Sequence, residues 1–328
     1  MSIGVYVHIP FCIQRCTYCA FNTYTGLLSL EDAYVAALVE EIRLRAERAI
    51  SVQGRTLYFG GGTPSLLDPE SVAEIVHAAR RYLRLPWDAE VTLEANPGTI
   101  SVDYLTELRD IGVNRLSLGV QSSHSSELVM LGRIHTWQEA AASFERARDA
   151  GFDNISLDLM FGLPGQTLKA WLATLKACLE LAPDHLALYA LTLESGTPLA
   201  ETLALNNIAE PDPDLAADMY EAASELLHRE GFWHYEISNW ARGVSPAPAI
   251  WALPPEGETE RIGRTVSDHN LIYWRNEPWM GFGAGAHSWF RGRRWRDHPH
   301  PRVYINSMRS GRLRGFSDLV LSPEVVRG

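Results

Sequence analysis

The stretch Gly4-Val-Tyr-Val-His-Ile-Pro-Phe-Cys12-Ile-Gln-Arg-Cys16-Thr-Tyr-Cys19 decides how the rest of the chain is read. Residues 4–9 have the composition of a strand, and Pro10 ends it. Three of the chain's four cysteines then fall within eight residues. A helix follows at about 30–50, where Ala36, Leu38, Ile42 and Leu44 approximate a 3.6-residue period. The alternation repeats, with strand-like runs near 55–59, 90–95, 115–120, 154–160 and 185–191. Helical patterns separate them at about 69–83, 102–111, 136–150 and 167–181. Six strands with helices between them indicate right-handed βαβ units and a parallel sheet. Polar residues recur at the C-terminal ends of the strands, Glu94 with Asn96, then Gln121, then Asp158. That face is where barrels build sites, so the expected fold is α/β with a partial (β/α)6 barrel. A doubly wound sheet is the alternative, because periodicity cannot count closure.

The pattern changes after about residue 200. A helix at about 213–230 leads to a strand-like Trp233-His-Tyr-Glu-Ile, and residues 242–266 turn irregular around Pro246, Pro248, Pro254 and Pro255. That stretch reads as an inserted surface loop. The glycine-rich aromatic segment beyond it, with Tyr273, Trp274 and Trp279 to Trp289, suits covering an opening. Gly281-Phe-Gly-Ala-Gly285 reads as close backbone packing rather than a dinucleotide motif. The expected organisation is a barrel over residues 1–237 and an irregular, aromatic covering region over 238–328. No internal repeat is visible.

At 328 residues, with 46% hydrophobic and 21% charged, the chain is of ordinary globular composition. Its formal charge of −11 argues against general binding to nucleic acid or an anionic bilayer. Arg291, Arg293, Arg294 and Arg296 make a local basic cluster, for which a solvated charged face is the plain reading. There is no signal-peptide pattern, and no apolar run approaches the roughly 18 residues a spanning helix needs. A soluble, cytoplasmic protein is expected.

A C-x3-C-x2-C cluster in a reduced compartment points to a metal or cluster site rather than a disulfide framework. Two chemistries are open. Zinc needs a fourth ligand, for which His8 is the nearest candidate. An iron–sulfur cubane on three cysteines leaves one iron for a ligand that is not protein. Cys178 lies in the apolar pattern of Trp171, Leu172, Leu175 and Leu179, and reads as an ordinary buried thiol.

Gly60-Gly-Gly-Thr-Pro64 is either a tight turn or a place where backbone amides approach a ligand closely. Glu94, Gln121, Arg133 and Asp158 offer polar contacts for a carboxylate, an ammonium and a ribose. His269, beside Tyr273 and Trp274, is either a haem ligand or a buried, hydrogen-bonded histidine.

Taken together, Tyr6-x-His-Ile-Pro-Phe-Cys12-x3-Cys16-x-Tyr18-Cys19, Gly60–Pro64, Glu94-x-Asn-Pro97, Gly119-Val-Gln121 and Asp158-Leu-x-x-Gly-Leu-Pro164 resemble the radical S-adenosylmethionine superfamily. Within it they resemble the branch of oxygen-independent coproporphyrinogen III oxidase and the HemW-type haem chaperones. The resemblance runs from about residue 3 to 290. It implies a [4Fe–4S] cluster on Cys12, Cys16 and Cys19, with S-adenosylmethionine completing the open iron. Tyr6, Tyr18, Gly61, Gly62, Thr63, Glu94, Gln121, Arg133 and Asp158 match positions that hold the nucleotide and methionine moieties.

The oxidases of the branch carry a further cysteine two residues after the third, and a longer N-terminal arm. Here that position is Phe21, and only eleven residues precede Cys12. Both features, with the Tyr235–Asn239 and His269-Asn-x-x-Tyr-Trp274 segments, resemble the chaperones, in which the latter motif is linked to haem. Ser267 stands where that group often has a cysteine. The chain ends at Gly328, before the small C-terminal domain usual in the family, so a truncated or domain-lacking chain is expected. The implied function is haem binding and transfer to respiratory or other acceptor haem proteins, with transient membrane-protein contact. The alternative is radical decarboxylation of coproporphyrinogen III.

Overall fold

The computed structural model describes residues 1–49, 51–206, 208–243 and 265–313, and the backbone of 317–320. Most of the Pro-rich stretch read as an insertion lies outside the described residues. The elements run β1 (Ser2–Ile9), β2 (Phe11–Cys12), β3 (Tyr24–Thr25), α1 (Glu31–Arg48), β4 (Gln53–Gly61), α2 (Pro69–Tyr82), β5 (Glu90–Ala95), α3 (Val102–Ile111), β6 (Arg115–Gln121), α4 (Ser125–Met130) and α5 (Trp137–Asp149). They continue with β7 (Ile155–Phe161), α6 (Leu168–Glu180), β8 (His185–Ala190), α7 (Pro198–Leu205), α8 (Pro213–Arg229), β9 (Phe232–Glu236) and β10 (Asn239–Arg242). The last are α9 (Asp268–Trp274), β11 (Trp279–Phe282), β12 (His287–Phe290), β13 (Arg293–Arg296), α10 (Pro301–Arg309) and β14 (Ser317–Val320).

Local chemistry fixes the helix ends. The Ser101 side chain accepts from the Tyr104 N–H at the start of α3, and Gly112 closes that helix at φ 108. Thr136 and Glu139 make a reciprocal capping box for α5, and Thr167 caps α6.

Strands β1, β4, β5, β6, β7 and β8 pair in parallel in that order. The full order is β14-β13-β12-β11-β1-β4-β5-β6-β7-β8-β10-β9. It has two ends, so the sheet is an open, partial barrel. The segment read as an irregular cover is more regular than expected: β11 adds in parallel to β1, and β12, β13 and β14 extend that edge antiparallel. Helix α9 does cover an opening, at the end where the strands begin. Glu90, first residue of β5, accepts from the Asp268 and His269 N–H groups at 2.9 Å each, and Ile272 packs on Gly4.

Alternation sorts the side chains. Val5, Val7, Leu57, Phe59, Leu116, Leu118, Leu157 and Leu186 are buried in one core with Leu38, Ile75, Leu108, Phe144, Trp171 and Cys178 of the helices. The other phase, including Tyr58, Arg115, Ser117, Asp158 and Tyr189, lines the lumen. Cys178 is fully buried, as the apolar pattern implies.

Candidate functional site

The short β2–β3 pairing closes a loop over the C-terminal ends of the strands and carries the three clustered cysteines. All three thiols are free and half-buried. The loop is pinned from across the barrel. The Thr17 N–H donates to Leu131 O at 3.1 Å and its hydroxyl to Met130 O at 2.7 Å. Arg133 donates to Cys16 Sγ at 3.3 Å, to Asn96 Oδ1 at 2.5 Å and to Gly119 O at 2.6 Å.

Gly62 is required by close approach. A Cβ on it would lie 2.6 Å from Phe11 O and 2.9 Å from Cys12 Sγ. Gly61 has φ +120, and a Cβ there would meet the His8 ring at 2.6 Å. Thr63 accepts from Asn96 Nδ2 at 3.1 Å and donates to Cys12 Sγ at 3.7 Å. Burial raises the Cys12 thiol, with the Thr63 hydrogen bond opposing it. Among the described residues, no group of three His, Cys, Asp or Glu is arranged to hold a metal ion. His8, the candidate fourth zinc ligand, has Nδ1 paired with Tyr6 OH at 3.0 Å and Nε2 with Asn22 O at 2.9 Å. A cubane differs from zinc in taking each thiolate on a separate iron.

A cavity of about 460 Å³ opens beneath this loop. Eleven of the residues expected from the sequence line it: Cys12, Cys16, Tyr18, Cys19, Gly61, Gly62, Thr63, Glu94, Gln121, Arg133 and Asp158. Glu94 accepts from Tyr58 OH at 2.9 Å and from the Gly61 N–H at 3.1 Å. Burial, then Asp158, pushes its carboxyl up to about 7. Ser117 donates to both Asp158 oxygens at 2.8 and 2.9 Å, yet burial pushes that carboxyl up to about 6. Burial also raises the Tyr18 hydroxyl. Gln121 ends β6 at φ 69, a left-handed conformation that costs a non-glycine residue about 1–2 kcal/mol.

Two expected residues lie elsewhere. Tyr6 stacks on Tyr58 at 6.2 Å and faces the adjoining cavities, of about 190 and 590 Å³. His269 lines the smaller of these, at the far end of the lumen. It is the buried, hydrogen-bonded histidine: Nδ1 pairs with Thr56 Oγ1 at 2.7 Å, Nε2 with Tyr273 OH at 2.9 Å, and burial pushes its pKa down to about 3. The Tyr235–Asn239 and His269–Trp274 segments meet there. Asn270 donates to Glu236 at 2.8 Å, and the Ser267 N–H donates to Tyr235 OH at 3.4 Å.

The sequence reading missed Tyr58, Arg115, Ser117 and Tyr189 as lumen residues. Their signal was the period-two phase of β4, β6 and β8, on the same face as the expected strand-end groups.

The Radical SAM superfamily pattern matches residues 6–178. A protein of Mycobacterium tuberculosis (strain ATCC 25618 / H37Rv), "Heme chaperone HemW", is 37% identical over 322 residues, covering 96% of this chain and 77% of its own length. A Bacillus subtilis (strain 168) protein of the same name is 38% identical over 292 residues, or 89% and 72% of the two chains. The Mus musculus "Radical S-adenosyl methionine domain-containing protein 1, mitochondrial" is 39% identical over 88% of this chain and 60% of its own. Among solved structures, the Escherichia coli coproporphyrinogen III oxidase (HemN), described as a radical SAM enzyme, superposes with a TM-score of 0.78 at 24% identity. That match covers 98% of this chain and 72% of the oxidase. At that identity the likeness concerns the fold.

Proposed function

The chain belongs to the radical S-adenosylmethionine superfamily and, within it, to the HemW family, and from that premise we propose that it is a haem-binding chaperone carrying a [4Fe–4S] cluster and S-adenosylmethionine. It would pass haem to acceptor haem proteins, respiratory ones among them. The observation that carries the reading is the meeting, in one cavity, of three free thiols, a glycine pair and polar groups from successive strand ends.

The residues fit the implied groups. Cys12, Cys16 and Cys19 would hold the cluster, Gly62 leaves the room that a Cβ would fill, and Arg133 steadies the Cys16 sulfur. The chemistry a bound cluster supplies is an open iron for the amino and carboxylate groups of S-adenosylmethionine. Glu94 suits the ammonium of that ligand, Arg133 its carboxylate, and Gln121 and Asp158 its ribose hydroxyls. Tyr18, Thr63 and Gly61 would shape the cavity around the methionine and nucleotide, and Tyr6 would support it through Tyr58.

His269 has neither ring nitrogen free. Its part in haem binding is therefore to position Tyr273 rather than to coordinate iron. Phe21, where the resembling oxidases have a cysteine, favours the carrier over coproporphyrinogen decarboxylation. The net charge of −11 speaks against nucleic acid as a partner. No described helix is long and apolar enough to cross a membrane. A cytoplasmic site of action, with transient contact to membrane-bound acceptors, belongs to the same proposal.

Anaerobic reconstitution with iron and sulfide, followed by haem titration, tests the reading. Stoichiometric haem on a cluster-loaded chain is the expected result. Absence of haem binding would overturn the chaperone, and absence of iron and sulfide would overturn the cluster.

A further inference from the structure

The cavity of about 590 Å³ beside the cluster loop has walls that no role assigned so far to S-adenosylmethionine accounts for. It shares Ala20, Phe21, Gly61 and Glu94 with the cluster cavity, and its further walls include Tyr273, Trp279, His287 and Arg296. Its size lies within the range of about 300–1,000 Å³ typical of small-molecule sites.

The outer edge of the sheet builds one wall. In β12 and β13, His287 stands directly opposite Arg296, and Trp289 opposite Arg294; Trp279 of β11 stands opposite Trp289. Residues paired across strands, and residues two apart along one strand, share a face. One face therefore presents an imidazole, two indoles and two guanidiniums. Arg294 lies over the Trp279 ring at 6.0 Å, and Tyr273 meets the same ring edge-on at 5.0 Å. Phe21, 69% exposed, adds an apolar ring to the lining.

His287 differs from the other histidines of these cavities. His8, His185 and His269 each have both ring nitrogens hydrogen-bonded. The exposed His287 ring has no hydrogen-bond partner among the described residues. An imidazole without a protein partner can offer a ring nitrogen to a metal.

We propose that this cavity is the haem site: His287 would hold the iron, Phe21, Tyr273 and Trp279 would contact the macrocycle, and Arg296 of the cavity wall, with Arg294 beyond it on the same sheet face, would pair with the propionates. The inference rests on the haem-chaperone reading and names the residues that carry it out. A planar, apolar, doubly anionic ligand with a metal at its centre matches each element of the face: aromatic walls, paired guanidiniums and an uncommitted imidazole. The arginine cluster thereby receives a role in a chain that is acidic overall.

The test is haem titration of the reconstituted full chain, followed by absorption and electron paramagnetic resonance. His287→Ala should lose the imidazole–iron signature and weaken haem binding about tenfold or more. Free imidazole added to His287→Gly should restore the signature. His287→Gln, which retains side-chain bulk, should behave as His287→Ala. Arg294→Ala combined with Arg296→Ala should weaken haem binding but leave binding of haem dimethyl ester unchanged. Wild-type spectrum and affinity in His287→Ala and His287→Gln would overturn this site while leaving the chaperone intact. Failure of the wild-type chain to bind haem would instead overturn the chaperone reading, and this site with it.

Discussion

Replacing Glu94 by Gln removes a carboxyl that burial, with Asp158, pushes from its ordinary 4.5 up to about 7. A group with a raised folded-state pKa stabilises the fold fully below its unfolded pKa, and that contribution is lost as pH rises through the folded value. Wild-type stability should therefore fall between pH 4.5 and about 7. At about 1.4 kcal/mol per pH unit, the gap sets a ceiling of about 3 kcal/mol. Glu94 borders a cavity that water enters, and screening reduces the effect to about 2 kcal/mol. With about 2 cal/mol/K of unfolding entropy per residue, this corresponds to about 3 °C in Tm. Gln does not titrate. It also leaves Tyr58 OH or the Gly61 N–H without its acceptor, a pH-independent cost of about 1–2 kcal/mol. The variant is thus less stable at pH 5, and its Tm approaches that of the wild type by about 3 °C by pH 8. Scanning calorimetry of the cluster-free protein across this range measures the approach independently of the offset. Parallel Tm curves would refute the account of a proton-holding lumen carboxyl.

Cys16→Ala should abolish cluster assembly, read as iron and sulfide after anaerobic reconstitution; unchanged content would remove the cysteine loop from the site. Gly62→Ala pushes a methyl group against Phe11 O and Cys12 Sγ and should cost about 1–3 kcal/mol, with reduced iron loading. Wild-type Tm and iron in that variant would show that the loop yields freely. Asp158→Asn should weaken S-adenosylmethionine binding to the reconstituted chain about tenfold, measured by calorimetric titration, and equal affinity would take Asp158 out of the ligand's reach. His269→Ala should weaken haem binding while leaving the iron's ligand signature unchanged, and a lost signature would make His269 the ligand after all.

The six parallel strands and their helices were legible because each strand carries an apolar face that must meet a helix. Leu57 and Phe59, Leu116 and Leu118, and Leu157 supply that face. The edge strands β11, β12 and β13 were not: Trp279–Phe282 and His287–Phe290 are four residues each, too short for a period to emerge among glycines and aromatics. Within the site, polar groups at strand ends stood out against apolar runs. Arg115 and Ser117 did not, because polar alternation in a sheet ordinarily marks a solvent face, whereas here it marks a lumen. His269 is the instructive case. Its motif is visible in the sequence, but only the fold shows that Thr56, over two hundred positions away, holds its Nδ1.

The central claim is that the chain carries haem rather than making its precursor. The most direct test supplies the reconstituted chain with haem, an apo-haem protein, S-adenosylmethionine and coproporphyrinogen III in one anaerobic preparation. The account predicts transfer of haem to the acceptor, with no decarboxylated porphyrinogen. Protoporphyrinogen formed without haem transfer would contradict it.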